Sequence, residues 1–244
     1  MNIPKTAAVV GILVGLVAVS CSKKSNPAGP EEKQNLPTVT IQQIAVPEHM
    51  AQSSNPNAQM AANYIGMANG FASFAYAFTP PNGLAKPASV LDDPTWRRTW
   101  THNGLTVTLS VFETVKQYIW ETRLDGKDEN FTYANWLFMK IEEAKNGKSG
   151  TMTLYKPVTS NVQAEWTWET DTQDAYTLIY LLSDGESGSK LTVTQNADHS
   201  GSLQLEEISG GSFVPSYQCQ WDSKGTGSWK QYSNGEVVSS GSWG

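Results

Sequence analysis

The sequence has little charge and very little histidine or cysteine. Charged residues make up 16% of the 244 positions, the formal net charge is -6, and there are three His and two Cys. Because phosphate binding needs a basic face, we expect no nucleic acid among the partners of this acidic chain. The chain also has nine Trp and 39% hydrophobic residues, which favours a folded domain over a disordered one.

The residues that usually carry metal or acid–base chemistry are sparse and poorly spaced. His49, His102 and His199 lie far apart, and no His-x-x-x-His or Cys-x-x-Cys spacing occurs, so neither a metal site nor a cofactor is predicted. Glu165 and Glu169 share a strand face, whereas a glycosidase needs two carboxylates that face each other across a cleft. We therefore predict no catalytic residue and a protein that is not an enzyme.

The N-terminus has the pattern of an export signal. Lys5 is followed by the apolar run Ala7–Val19 and then by small residues. The run is too short to span a bilayer, which needs about 20 apolar residues. The pattern predicts a secretory signal peptide over residues 1–20.

The end of this signal, Ala18-Val19-Ser20-Cys21, resembles the lipobox of bacterial lipoproteins, which more often has Leu where this chain has Ala18. The resemblance implies cleavage before Cys21 and its lipidation with acyl chains such as palmitate. It thus implies a lipid anchor in the bacterial cell envelope. Ser22 after the Cys is compatible, in that family, with export to the outer membrane. The alternative is an ordinary signal peptide with a chance Cys.

The residues after Cys21 predict a tether. Residues 22–35 are polar and contain Pro and Gly, so they cannot bury enough apolar surface to fold, which predicts a flexible tether over 21–40. If Cys21 is lipidated, Cys219 has no partner for a disulfide. Cys219 alternates with Tyr217 and Trp221 on one strand face, which predicts a buried and inert thiol.

A long uncharged stretch follows the tether. No charged side chain occurs between Met50 and Ala85, and Asn55-Pro56 supplies an N-cap residue and a Pro at the first helical position. Bulky apolar residues then recur at helical spacing, which predicts a helix over 56–78 within a segment, 41–94, that packs on a sheet. The bulky residues on one side are Met60, Tyr64, Met67, Phe71, Phe74 and Phe78; those that keep another side small for close approach are Ala62, Gly66, Gly70 and Ser73.

The sequence is compatible with two locations for this helix. It can be buried against or inside a curved sheet, as an uncharged helix usually is. It can also rest on lipid with its bulky side chains.

From Trp96 onward the apolar period changes to two, as in the runs Leu105–Val111 and Ala164–Glu169. We predict a mainly β fold over residues 95–244, a long antiparallel meander of about 10–12 strands, with 41–244 as one folding unit. A curved sheet, a barrel-like closure and a two-sheet sandwich all fit this pattern. The predicted hairpin turns are Asp125-Gly126, Asn146-Gly147, Asp184-Gly185, Gly210-Gly211 and Asn234-Gly235.

The order of tether, apolar helix and Trp-rich meander resembles uncharacterised bacterial envelope lipoproteins, a resemblance that implies no known activity. All nine Trp lie beyond residue 95. They fit a core of large rings, an apolar cavity between helix and sheet, or exposed rings that stack on sugars. The candidate ligand-facing residues for a lipid or other apolar ligand are Tyr64, Met67, Phe71, Phe74, Trp166 and Trp168; the alternative sugar-stacking residues are Trp229 and Trp243.

The function that we expect is therefore a non-enzymatic one. We predict a lipid-anchored envelope protein with a binding or structural role, in which the membrane is a partner through the lipid on Cys21. An apolar ligand held between helix and sheet is the sharper hypothesis. The alternative is a carbohydrate-binding surface lipoprotein that uses exposed Trp.

Overall fold

The computed structural model of the chain describes residues 37–77, 94–102, 104–184 and 187–244, without the side chains of residues 71–77, His102 and Asp184. The predicted signal peptide, Cys21 and most of the predicted tether lie outside these residues, and so does Phe78.

Twelve strands form one sheet in which each strand pairs antiparallel with the next along the chain. This confirms the predicted mainly β fold and its long antiparallel meander. The sheet is not closed, since β1 and β12 are its two edges. The strands are β1 Trp96–His102, β2 Leu105–Glu113, β3 Gln117–Lys127, β4 Thr132–Ala144, β5 Ser149–Tyr155, β6 Val162–Thr170, β7 Tyr176–Asp184, β8 Ser187–Gln195, β9 Gly201–Ser209, β10 Ser212–Trp221, β11 Gly227–Ser233 and β12 Glu236–Trp243.

Two helices precede the strands, α1 Glu48–Gln52 and α2 Pro56–Ala77. The start of α2 is where the sequence predicts it, because the Asn55 side-chain oxygen accepts a hydrogen bond from the Asn57 N–H at 2.9 Å. Pro56 at the first helical position has no N–H to leave unpaired.

The period of two along the strands gives the sheet one buried face, called here the inner face, and one polar outer face. In β6, Ala164, Trp166 and Trp168 are buried, whereas the residues between them, such as Glu165, are partly or fully exposed. The Trp side chains fill the core, as the first of the three interpretations predicts. Six are buried, namely Trp96, Trp120, Trp166, Trp168, Trp221 and Trp243, and Trp100, Trp136 and Trp229 pack against them.

Several of these rings lie over a glycine on the neighbouring strand. Gly201 pairs with Trp221, and Gly227 pairs with Trp243. A Cβ added to Gly227 would lie 2.3 Å from Trp243 Cζ2, so the absent side chain makes room for the ring. Such cross-strand Gly–aromatic pairs cover the backbone that glycine leaves bare. The same arrangement joins Gly150 to Trp168 and Gly241 to Trp229.

Two of these Trp side chains also form hydrogen bonds with hairpin turns. Trp221 Nε1 donates to the His199 carbonyl at 3.1 Å, and Trp243 Nε1 donates to the Gly225 carbonyl at 2.7 Å. Each acceptor residue lies two positions before the glycine that the ring covers. Both acceptor residues have a positive φ, 67° at His199 and 90° at Gly225. One local design thus recurs in the β8–β9 and β10–β11 hairpins.

The predicted hairpin turns have mixed outcomes. Asn146-Gly147, Gly210-Gly211 and Asn234-Gly235 do connect strands. The prediction for Asp125-Gly126 is wrong, because this pair lies inside β3 at a shift of register that marks a bulge. Gly126 has φ 117°, a backbone conformation that favours glycine in bulges as it does in turns. Gly185 lies outside the described residues.

The inner face is covered by a strap, residues 37–47, that has neither helix nor strand. The Thr40 N–H donates to Glu143 on β4, the Gln42 N–H donates to the Tyr176 hydroxyl on β7 at 3.3 Å, and Ala45 contacts Gln195 at the end of β8. The strap therefore runs across the strands. Val39 is already buried, so this cover begins within residues 21–40, the predicted tether.

Two carboxamide side chains hold the strap by its backbone. Asn69 on α2 accepts from the Ile44 N–H at 2.8 Å and donates to the Ile44 carbonyl at 2.7 Å. Gln195 makes the same pair of bonds to Ala45, at 3.3 and 3.0 Å. These amides satisfy backbone groups that a segment without regular structure would otherwise leave unpaired.

Helix α2 packs on the sheet, as predicted, but through a different side. Ala58, Ala61, Ile65 and Ala68 are fully buried. Of the small residues predicted for close approach, Ala62 packs against the core, whereas Gly66 and Gly70 have no neighbour within 4 Å of an added Cβ. The side chain of Ser73 lies outside the described residues. Alanine allows the helix to approach the sheet closely and, unlike glycine, favours the helix.

The Gly–Trp pairs predict that one methyl group added at such a glycine destabilises the fold. Gly227→Ala places a Cβ 2.3 Å from Trp243 and 2.4 Å from the Gln220 carbonyl, so ring and backbone must both shift. We expect a loss of about 1–3 kcal/mol in the free energy of unfolding, measured by urea denaturation.

The matched control is Gly66→Ala, the same substitution at an open helical position. It should raise the free energy of unfolding by roughly 0.5–1 kcal/mol, because alanine has less backbone freedom to lose. Equal effects of the two substitutions would contradict the role given to the Gly–Trp pairs.

Candidate functional site

Three of the candidate ligand-facing residues, Tyr64, Trp166 and Trp168, lie on the covered, inner side and contact other protein groups. The Tyr64 and Tyr217 ring centroids are 5.9 Å apart, and the Trp166 ring stacks on Tyr180 at 4.6 Å. Trp168 is 1% exposed and lies over Gly150. Contacts within the protein therefore occupy these rings.

The other three candidates, Met67, Phe71 and Phe74, lie on α2, as Tyr64 also does. Met67 is 45% exposed, so it does not line the contact between helix and sheet. The helical period explains the difference, because the buried stripe runs through Ile65 and Ala68 and leaves Met67 on the solvent side. The side chains of Phe71 and Phe74 lie outside the described residues.

The prediction of exposed, sugar-stacking rings at Trp229 and Trp243 is wrong. Trp243 is 4% exposed, and Trp229 is half-buried and packs against the core. Both are paired across the β11–β12 hairpin with a glycine, which draws the rings onto the sheet. The absent side chains of Gly227 and Gly241 provide the space for the rings.

Cys219 has the environment that the sequence predicts for it. The thiol is buried, and burial raises its pKa to about 12. Because the thiolate is the nucleophilic form, a thiol with this pKa is unreactive near neutral pH.

Glu143 is a buried carboxylate that sequence reasoning missed. It is 2% exposed at the inner face of β4, and its two oxygens accept the Thr40 N–H at 3.0 and 3.2 Å. The Thr40 hydroxyl donates to the same carboxylate. Burial raises the pKa of Glu143, and the hydrogen bonds from Thr40 oppose that rise without cancelling it. This carboxyl fixes the start of the strap.

The outer face carries a groove of about 530 Å³ between two hairpin turns. Its walls are the β8–β9 turn, with Asn196, and the β10–β11 turn, with Asp222, and its floor includes Ser202, Gln220 and Ser228. The floor residues alternate along their strands with the buried residues Leu203 and Cys219 and the half-buried Trp229, and so they point away from the core. No local motif marks this groove, because four strands and two turns contribute to it.

Within residues 37–77, 94–102, 104–184 and 187–244, no group of three or more His, Cys, Asp or Glu side chains is close enough to hold a metal ion. None of the helices described in these ranges is long and apolar enough to cross a membrane.

In comparisons with known proteins, no protein-family model matches the chain, and no curated protein matches it significantly.

The buried carboxyl predicts a pH-dependent effect of Glu143→Gln. A raised pKa means that the folded protein holds the Glu143 proton more tightly than the unfolded chain, where a Glu carboxyl has a pKa of about 4.3. The contribution of this group to stability is thus complete below that value and decreases as pH rises through the folded pKa. Glutamine has no such ionisation.

We therefore expect the wild-type protein to lose stability relative to Glu143→Gln between acid and neutral pH, measured by urea unfolding across the pH series. The control is Glu142→Gln, which removes an outer-face carboxylate that lies 3.0 Å from Lys140 Nζ. A difference between wild type and Glu143→Gln that is constant with pH, or that changes in the opposite direction, would contradict the assignment.

Proposed function

We propose that this protein is a non-enzymatic binding or structural protein of the bacterial envelope, held at the membrane by lipid on Cys21. The apolar run after Lys5 and the lipobox-like residues before Cys21 support the anchor.

The observation that carries the proposal is the difference between the two sheet faces. The inner face is occupied by Trp rings, the strap and α2. The outer face of β5–β12 presents Thr, Ser, Gln and paired charges, for example the Lys190–Glu206 ion pair at 2.9 Å. A sheet with one polar face that the strap and helix leave uncovered provides a binding surface built on regular strands.

The start of the fold agrees with a tethered domain. Thr40 lies beside the β4–β5 turn, where its hydroxyl donates to the Gly147 carbonyl at 2.9 Å. About 16 residues separate Pro37 from Cys21, and an extended chain of that length reaches roughly 55 Å. The lipid would therefore hold the domain near the membrane without fixing its orientation. Export to the outer membrane is part of the same proposal and rests on Ser22.

An apolar ligand between helix and sheet stays a prediction. Tyr64, Trp166 and Trp168 make their contacts with other protein groups, so the described residues give that hypothesis no added support. The carbohydrate alternative loses the two rings that it was based on, because Trp243 is buried and Trp229 is half-buried.

The anchor predicts the behaviour of Cys21→Ala. Without the thiol no acyl chain can be attached, so the protein should lose metabolic labelling by palmitate and leave the membrane fraction. Anchoring by acyl chains is stable because each buried CH₂ contributes about 0.8 kcal/mol.

The matched control is Cys219→Ala, which removes the other cysteine of the chain and should keep both the label and the membrane fractionation. Unchanged labelling and fractionation of Cys21→Ala would overturn the proposed anchor.

A further inference from the structure

The groove on the outer face is lined by polar side chains, some of which bond to neighbouring side chains and some of which do not. Several side chains on this face bond to each other across strands. Gln218 Nε2 donates to Gln204 Oε1 at 3.1 Å, the Tyr232 hydroxyl donates to Gln218 Oε1 at 2.5 Å, and the Thr177 and Thr194 hydroxyls lie 3.0 Å apart.

Four side chains inside the groove have no such partner. Ser202, Gln220, Thr226 and Ser228 all line it, and their side chains form no hydrogen bond with any described residue. Together they provide three hydroxyl groups, which both donate and accept, and one carboxamide, which donates from nitrogen and accepts at oxygen. These groups are therefore free to bond to a ligand.

The walls of the groove, in contrast, are fixed by their own hydrogen bonds. Asn196 Nδ2 donates to the Ser200 hydroxyl at 2.9 Å, and that hydroxyl donates to Asp198 Oδ1 at 2.6 Å. Asp222 Oδ1 accepts the N–H groups of Lys224 and Thr226 at 2.9 and 3.0 Å. The turns thus hold their shape, and their Trp hydrogen bonds connect them to the core.

The lining restricts the class of ligand. No Lys, Arg or His lines the groove, and Asp222 is its one ionisable side chain, so an anionic ligand has no counter-charge. Trp221 is the one large apolar residue of the lining and is itself buried, so an apolar ligand has no apolar wall. A neutral ligand with many hydroxyl groups matches both the charge and the mixed donors and acceptors.

We propose that this groove binds a neutral oligosaccharide. Its volume lies within the range of about 300–1,000 Å³ that is usual for small-ligand sites. The proposal gives a ligand class to the outer face and rests on the binding role proposed above. It differs from the Trp-based carbohydrate hypothesis, because no exposed aromatic ring takes part.

The test measures binding by the full-length, lipidated protein purified in detergent. Neutral oligosaccharides, namely maltoheptaose, cellohexaose, chitohexaose and mannohexaose, are screened by saturation-transfer difference NMR, and those that bind are titrated by calorimetry. We expect at least one of them to bind in the micromolar to millimolar range.

Two variants locate the binding site. Gln220→Ala removes the exposed carboxamide and should weaken binding by about three- to tenfold, as expected for one or two neutral hydrogen bonds. Ser202→Leu fills the floor of the groove from an exposed position and should abolish binding. Gln163→Ala removes the same side chain as Gln220→Ala from β6, outside the groove, and should bind like wild type.

The outcomes are decisive once thermal unfolding shows that each variant is folded. Absence of binding to all four oligosaccharides at millimolar concentration would overturn the proposal, and so would binding that Gln220→Ala and Ser202→Leu leave unchanged. Because the protein is studied in detergent, this failure is distinct from failure of the anchor, which the Cys21→Ala fractionation tests separately.

Discussion

The fold depends on covering one face of a single-layer sheet. Twelve antiparallel strands satisfy one another's backbone groups, but they leave an apolar inner face that must be removed from water. A second sheet or a set of helices usually provides this cover. Here much of it comes from the chain that precedes the sheet, which first crosses the strands as an extended strap and then returns as a helix. The hydrophobic contacts of Ile41, Ile44 and Ile65 provide the burial, and the side-chain amides of Asn69 and Gln195 fix the strap in place.

The Gly–Trp pairs connect this core to the outer face. A Trp ring on the inner side lies against the glycine backbone of the next strand, and its indole N–H bonds to the turn before that glycine. The ring therefore sets the position of the turn, and the turns after β8 and β10 are the walls of the outer groove. Gly201 and Gly227 each begin a strand directly after one of these turns. Gly201 and Gly227 are needed there because any side chain would occupy the space of the ring.

Much of the fold could be predicted from local patterns. Alternation correctly indicates that Trp166 and Trp168 point inward, and Asn55-Pro56 marks the start of α2. The strap could not be predicted in this way, since its bonds to the sheet connect residues more than 100 positions apart, as in Thr40 with Glu143. The wrong assignment of Asp125-Gly126 has a similar reason, because a bulge and a turn both favour glycine at positive φ. The groove was also beyond sequence reasoning, as its side chains come from four strands and are ordinary Ser, Thr and Gln residues.

We expect strap, helix and sheet to unfold as one cooperative unit. Native-state hydrogen exchange tests this, because each amide reports the free energy of the opening that exposes it. In one cooperative unit, the Ile44 N–H and the amides of α2 near Ile65 exchange with the same free energy as the amides of β7–β10, through global unfolding. Exchange of the strap and helix through a much smaller free energy, while the strands stay protected, would show a sheet that is stable without its cover and would contradict the account.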